Sequence, residues 1–362
     1  MGKVKASDLS PGAIVLFGSG ETGPVGREAL RWLRSSGRIP RRITVLETPA
    51  GFEPNADAVA RRWANALRRQ AEAREAELTQ LPLRRRGTPL GPDVAQLAAP
   101  LLGSDLIVLG PGSPTYAARQ LRGSVAWRNA EAAHLLGASF FLASAAAMAA
   151  GTWALPVYEI YKVGEDPHWA EGLDLFRHLG LSLAVVTHWD NADGGAAVDT
   201  SRAFIGQARF EELLALVPND TVVVGVDENT GLALDPADGS ATVLGRGGVT
   251  IVRERIAERH GRGERLTLDA FGPFAPPDAD AVPVELADAV RAARAEREPQ
   301  PPPEDIAALV AAREVARKRR DWATADDIRR TLGQRGWRVE DTPDGPRVLA
   351  MRAETGHDAG RP

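Results

Sequence analysis

The chain has 362 residues, 44% hydrophobic, with 36 Gly and 26 Pro, a composition that fits a globular α/β protein and excludes fibrous or wholly disordered classes. A formal charge of −4 argues against a protein that coats nucleic acid or a membrane surface along its whole length. With no cysteine at all, disulfides, zinc–thiolate sites and a thiol nucleophile are excluded. The first residues lack the apolar core of a signal peptide, so a cytoplasmic location is expected.

Short β-rich runs alternate with amphipathic helices through the first two-thirds, which predicts a doubly wound, mostly parallel sheet covered on both faces. The expected strands are Ala13–Phe17, Ile43–Glu47, Leu106–Leu109, Ser139–Ala143, Leu183–Thr187 and Thr221–Val226, with helices over Arg27–Ser35 and Ala56–Glu77. The stretch from Leu135 to Tyr158 holds no charge, but Gly137, Ser144, Gly151 and Pro156 make it strand, turn and helix rather than a membrane span. Gly231–Val252 reads as antiparallel strands with turns at 236–239 and 245–248. A Pro- and Ala-rich linker with a short helix is expected over 271–303, then a small domain over 304–352 and a disordered tail over 353–362. In that small domain Glu304–Lys318 and Trp322–Leu332 form a helical hairpin, and Trp337–Asp341 with Arg347–Met351 a β-hairpin. Nine basic residues face four acidic ones between Arg313 and Arg338, which suits either a solvated helical face or a binding surface.

Five places carry chemistry. Gly18-Ser19-Gly20-Glu21-Thr22-Gly23 has the G-x-G-x-x-G spacing after a strand, and Glu47 ends the next strand, as in dinucleotide sites; Glu21 would repel a pyrophosphate. Ser144 follows the apolar run 139–143 and precedes Ala145-Ala146-Ala147, small neighbours that permit a sharp strand-to-helix turn with Oγ lifted clear and the next N–H free for an oxyanion. Gly110-Pro111-Gly112-Ser113-Pro114-Thr115-Tyr116 ends the preceding strand and suits either the second half of an oxyanion hole or an ordinary turn. His188 ends the strand 183–187, in reach of Ser144 across neighbouring strands. For an acid, Glu159 stands alone among apolar and aromatic residues, with Asp190 and Glu165 as rivals.

Together with Gly225-Val226-Asp227-Glu228-Asn229-Thr230-Gly231-Leu232-Ala233, these motifs occur in one order that resembles the cyanophycinase and dipeptidase E family of serine peptidases, of the class I glutamine-amidotransferase-like fold. The resemblance covers roughly 12–255 and is strongest to a branch carrying Pro-Val-Tyr-Glu-Ile-Tyr-Lys-Val-Gly (156–164) and Asp-Thr-Ser-Arg (199–202). It implies Ser144 as nucleophile, His188 as base and Glu159 as the acid between them, with Gly112 or Ser113 and the amide of Ala145 as oxyanion hole. It makes Asp227-Glu228 structural or pocket-lining and requires no metal or organic cofactor. Ala146 departs from the family, which usually has glycine two residues after the serine. Residues 304–348 resemble the C-terminal end of bacterial cysteinyl-tRNA synthetases, without the catalytic domain of those enzymes.

The leading expectation is therefore a serine hydrolase of peptide or isopeptide-like amides, with Arg202 and Lys162 as anchors for an acidic substrate group. The alternative is a catalytically silent binding or regulatory module whose basic tail contacts tRNA or a protein partner; a dinucleotide-binding enzyme comes third. A homodimer is compatible with either of the first two, and no membrane partner is expected.

Overall fold

The structure, a computed structural model, describes residues 5–296, 303–342 and 345–350. It divides after Ala293 into two compact units.

Among the described residues the first unit holds fourteen strands: β1 (Ile14–Phe17), β2 (Arg42–Leu46), β3 (Glu77–Leu81), β4 (Leu106–Leu109), β5 (Ser139–Ala143), β6 (Trp153–Ala154), β7 (Ala170–Glu171), β8 (Leu183–Val186), β9 (Val222–Val226), β10 (Thr230–Asp235), β11 (Ser240–Gly245), β12 (Val249–Arg253), β13 (Ile256–His260) and β14 (Arg265–Thr267). An eight-stranded sheet runs β14-β11-β10-β1-β5-β4-β2-β3, and a six-stranded sheet runs β13-β12-β9-β8-β6-β7. The central five strands, β1 to β3 in that order, are parallel, as are β8 and β9.

Alternation across the pleat explains why the central strands are apolar throughout. Ile14, Leu16, Phe140 and Leu142 enter one core, while Val15, Phe17, Phe141 and Ala143 enter the other. The helices Pro24–Ser35 and Ala56–Arg68 close the second core with Leu30, Leu33 and Trp63. Val125–Leu135 closes the first with Trp127 and Ala130. This is the doubly wound α/β architecture.

Three boundaries differ from the sequence expectation. The helix begun at Ala56 ends at Arg68, and Glu77–Leu81 pairs with β2 as a sheet edge. An edge strand that is only half buried lacks the apolar run that marked the others. The turn 245–248 does not close a hairpin; it carries the chain from β11 in one sheet to β12 in the other. The first unit also extends past 270, because Val284–Ala295 is a helix that packs Ala287 and Val290 into its core.

The second unit has its own small core of Ile306, Val310, Leu332 and Val339. Glu304–Lys318 and Trp322–Gln334 form the helical pair, and β15 (Trp337–Thr342) pairs antiparallel with β16 (Gly345–Ala350). Arg313, 4% exposed, donates from both terminal nitrogens to the two oxygens of Asp341 at 3.0 and 3.1 Å. Residues 297–302, 343–344 and the tail 353–362 lie outside the described residues. No helix among the described residues is long and apolar enough to cross a membrane.

Candidate active site

The two sheets meet where β9 passes through Asp227-Glu228-Asn229 into β10, and the chemistry-bearing residues converge on that seam. Ser144 follows β5 with φ 52° and ψ −115°, a left-handed conformation that only a very constrained turn maintains in a residue with a Cβ. Its N–H is tied to Phe17 O at 3.0 Å. Sharpness resides at Ser144 itself, so the residue two places on, Ala146, is an ordinary buried helical residue and its Cβ does not oppose the turn.

Ser144 Oγ lies 2.9 Å from His188 Nε2. His188, just beyond β8, is itself left-handed at φ 48°. Its Nδ1 lies 3.0 Å from Glu228 Oε1. An ionised carboxylate only accepts, so we assign the proton to Nδ1, which leaves Nε2 to accept from the serine hydroxyl. Glu228 is held in turn by Asn191, whose Nδ2 donates to Oε1 at 2.9 Å, and by Asp190, whose Oδ1 accepts from the Glu228 N–H at 2.7 Å.

The carboxylate facing His188 is thus Glu228 and not Glu159. Glu159 stands on the helical turn Glu159–Val163, where its Oε1 accepts from Thr115 Oγ1 at 2.6 Å. Of the rivals, Asp190 supports Glu228, and Glu165 lies 3.8 Å from His168. The two neighbours in the late motif divide their work: Asp227 is fully buried and accepts from Gly248 N at 2.8 Å and from Arg259, whereas Glu228 turns to the histidine.

Two backbone N–H groups beside Ser144 show no acceptor among the described residues. Ala145 opens the helix Ala145–Ala150, so its N–H has no intrahelical partner. Gly112, at φ 150°, lines the cleft beside Ser144, and a Cβ there would sit 1.9 Å from Pro49 O. No acceptor for the Gly112 N–H occurs among the described residues. Ser113, the other expected donor, is engaged: its N–H bonds Pro49 O at 2.9 Å and its Oγ caps the next helix at Tyr116 N.

The anchors separate as well. Arg202, Ala203 and Phe204 run left-handed at φ 57°, 59° and 68°. That run turns Phe204 onto the cleft and Arg202 away from it. The guanidinium stacks 4.0 Å over the Trp189 ring and donates to Trp189 O at 2.8 Å, in a separate groove with Gln207 and Phe210. Asp199, at the head of the same segment, accepts from the N–H groups of Ser201 and Gln207, which hold its carboxyl down at about 2. Lys162 stands on the cleft itself. Six of the eleven described non-glycine residues at positive φ surround this site: Ser144, His188, Asn229 and the run 202–204.

The cleft at Ser144 has a volume of about 300 Å³ and is walled by Met148, Val157, Tyr158, Tyr161 and Phe204. Beyond the 110–112 turn lies a smaller cavity of about 100 Å³, lined by Glu21, Glu47 and Trp63. Burial pushes the Glu21 carboxyl above its ordinary value. Glu47 is tied to Arg84 Nε and Gln80 Nε2, each at 2.6 Å, which leaves it poorly disposed toward a ribose.

Residues 302–348 match the family described as the cysteinyl-tRNA ligase anticodon binding domain. The same region is 53% identical over 49 residues to cysteine–tRNA ligase 1 of Burkholderia lata, spanning 14% of this chain and 10% of that protein. It is 66% identical over 35 residues to cysteine–tRNA ligase of Streptomyces coelicolor, spanning 10% of this chain and 6% of that protein. The chain therefore spans a tenth or less of these curated relatives. The first unit is similar in fold to the crystal structure of a peptidase from an acI-B1 Actinobacterium, with TM-score 0.57 and 21% identity over 72% of this chain and 98% of that one.

Proposed function

We propose that the first unit is a serine hydrolase of peptide or isopeptide-like amides. The observation that carries this reading is the continuous relay Ser144 Oγ–His188 Nε2–Nδ1–Glu228 at 2.9 and 3.0 Å. His188 removes the hydroxyl proton as Ser144 Oγ attacks the carbonyl carbon, and the N–H groups of Ala145 and Gly112 receive the oxyanion. The imidazolium, steadied by Glu228, gives that proton to the leaving nitrogen as the C–N bond breaks. Water, deprotonated by the same histidine, then attacks the acyl carbon, and the imidazolium returns that proton to Ser144 Oγ as the acyl C–O bond breaks. The fold shared with a peptidase makes an amide the reasonable substrate bond, and the clustered strained backbone is what a preorganised site requires.

Intact-mass measurement after exposure to a fluorophosphonate tests this. One adduct per chain is expected, located on Ser144 and lost in Ser144→Ala and in His188→Ala. Folded protein that takes up no adduct removes the hydrolase reading in favour of a silent binding module, and an adduct that persists in Ser144→Ala removes Ser144 as the nucleophile.

A second reading, for the second unit alone, is contact with tRNA, favoured by the anticodon-binding match. Arg313, Arg317, Arg330, Arg335 and Arg338 are paired with acids. Lys318, Arg319, Arg320 and Arg329 show no ion pair among the described residues, and Trp322 beside them is 58% exposed. Cations next to an exposed ring suit phosphate contact with base stacking. Retention of tRNA by the full chain should fall steeply with salt and drop at least about tenfold in Arg319→Glu/Arg320→Glu. Retention unaffected by either change refutes it.

A further inference from the structure

We propose that the Ser144 cleft takes a short peptide in which the residue adjoining the scissile bond carries a large apolar or aromatic side chain and a free carboxylate, with Lys162 pairing the carboxylate. The inference rests on the hydrolase reading and specifies its substrate class.

The walls decide the side chain. Of three tyrosines in the chain, two, Tyr158 and Tyr161, stand on this cleft, where they remain 41% and 38% exposed. Phe204 packs 5.7 Å from the Tyr161 ring and 6.3 Å from that of His188, so the aromatic surface runs up to the catalytic imidazole. Met148 and Val157 complete an apolar floor. Apolar surface left open at a site of this kind is covered by ligand. A volume of about 300 Å³, the lower end for ligand clefts, fits one or two residues rather than a long chain.

The charges decide the rest. With Lys162 taken by the terminal carboxylate, an acidic side chain would need a second cation among these walls, and Arg202 is turned into another groove. Among the described residues, Lys162 is the one lysine or arginine that lines the cleft. Its Nζ lies 5.1 Å from the Tyr161 ring centroid, and no carboxylate pairs with it among the described residues. Glu159, three residues before it, faces Thr115 instead. One exposed cation beside an aromatic wall matches a terminal carboxylate on an apolar residue, since the two groups are held on one Cα.

Isothermal titration of the full-length protein with three probes tests this: N-acetyl-L-phenylalanine, its amide, and N-acetyl-L-aspartate. The acid is expected to bind at least tenfold tighter than the amide and tenfold tighter than the aspartate. Lys162→Gln, an exposed position, should abolish the difference between acid and amide while leaving amide affinity unchanged. Equal affinity for acid and amide, tighter binding of the aspartate, a difference that survives Lys162→Gln, or no binding of any probe overturns the proposal. Because binding needs no catalysis, the two readings fail separately. An adduct on Ser144 with an indifferent cleft sinks the substrate class alone. Selective binding without an adduct sinks the hydrolase and leaves the cleft's preference standing.

Discussion

Glu228→Gln is expected to slow fluorophosphonate labelling of Ser144 by about 10²–10⁴-fold, whereas Glu159→Gln should label close to the rate of the unaltered chain. The difference follows from what each carboxylate touches. A neutral amide at 228 no longer balances the imidazolium that forms as Ser144 reacts. If its NH₂ turns toward Nδ1, it also favours the tautomer with the proton on Nε2, which cannot accept from Ser144. Asn191 Nδ2, already donating at 2.9 Å, favours the carbonyl oxygen in the old place, which sets the mild end of the range. At 159 a glutamine oxygen still accepts from Thr115 Oγ1, so the local turn keeps its bond. Labelling rates of the two variants, measured side by side by intact mass, check the assignment. A larger loss in Glu159→Gln would return the acid's role to that residue.

The serine and the histidine were legible because each ends a short apolar run. A buried parallel strand announces itself by composition, and in such sheets the carboxyl ends collect reactive groups. Glu228 obeys the same rule: it stands just past Val222–Val226, forty residues beyond His188. What the sequence does not carry is that β9 lies next to β8, and order along the chain favoured Glu159 instead. Arg202 was misplaced for another reason. Its direction depends on three successive left-handed residues, which no propensity of Arg, Ala or Phe foretells. Ser113 and Gly112 were indistinguishable until Pro49, from a distant loop, bonded the first and crowded the Cα of the second. The doubly wound core was readable from periodicity, while the edge strand Glu77–Leu81 was hidden by mixed composition, and the short helix expected within 271–303 gave no sign in its Pro- and Ala-rich surroundings that it packs into the main core.

Asp227→Ala should separate folding from chemistry at adjacent positions. The Asp227 carboxylate is fully buried and holds the N–H of Gly248, while the Gly248 carbonyl accepts from the Asp227 N–H at 3.1 Å. This exchange fastens the β9–β10 crossover to the turn that leads into β12. Alanine leaves the Gly248 N–H buried without an acceptor, at a cost of about 1–3 kcal/mol. Arg259, with its side chain 55% exposed, recovers water when it loses its partner and adds little. With the small void left by the carboxylate, the total is roughly 2–4 kcal/mol, or a fall in melting temperature of roughly 3–7 °C for a unit of this size. Glu228→Gln is isosteric at a half-exposed position and should melt close to the unaltered protein. Thermal melts and labelling rates of the two variants, taken together, are expected to dissociate: stability lost at 227, reactivity lost at 228. A melting temperature unchanged by Asp227→Ala would mean that the crossover is held by its strand pairing alone, and that Glu228 does not depend on its neighbour for its place against His188.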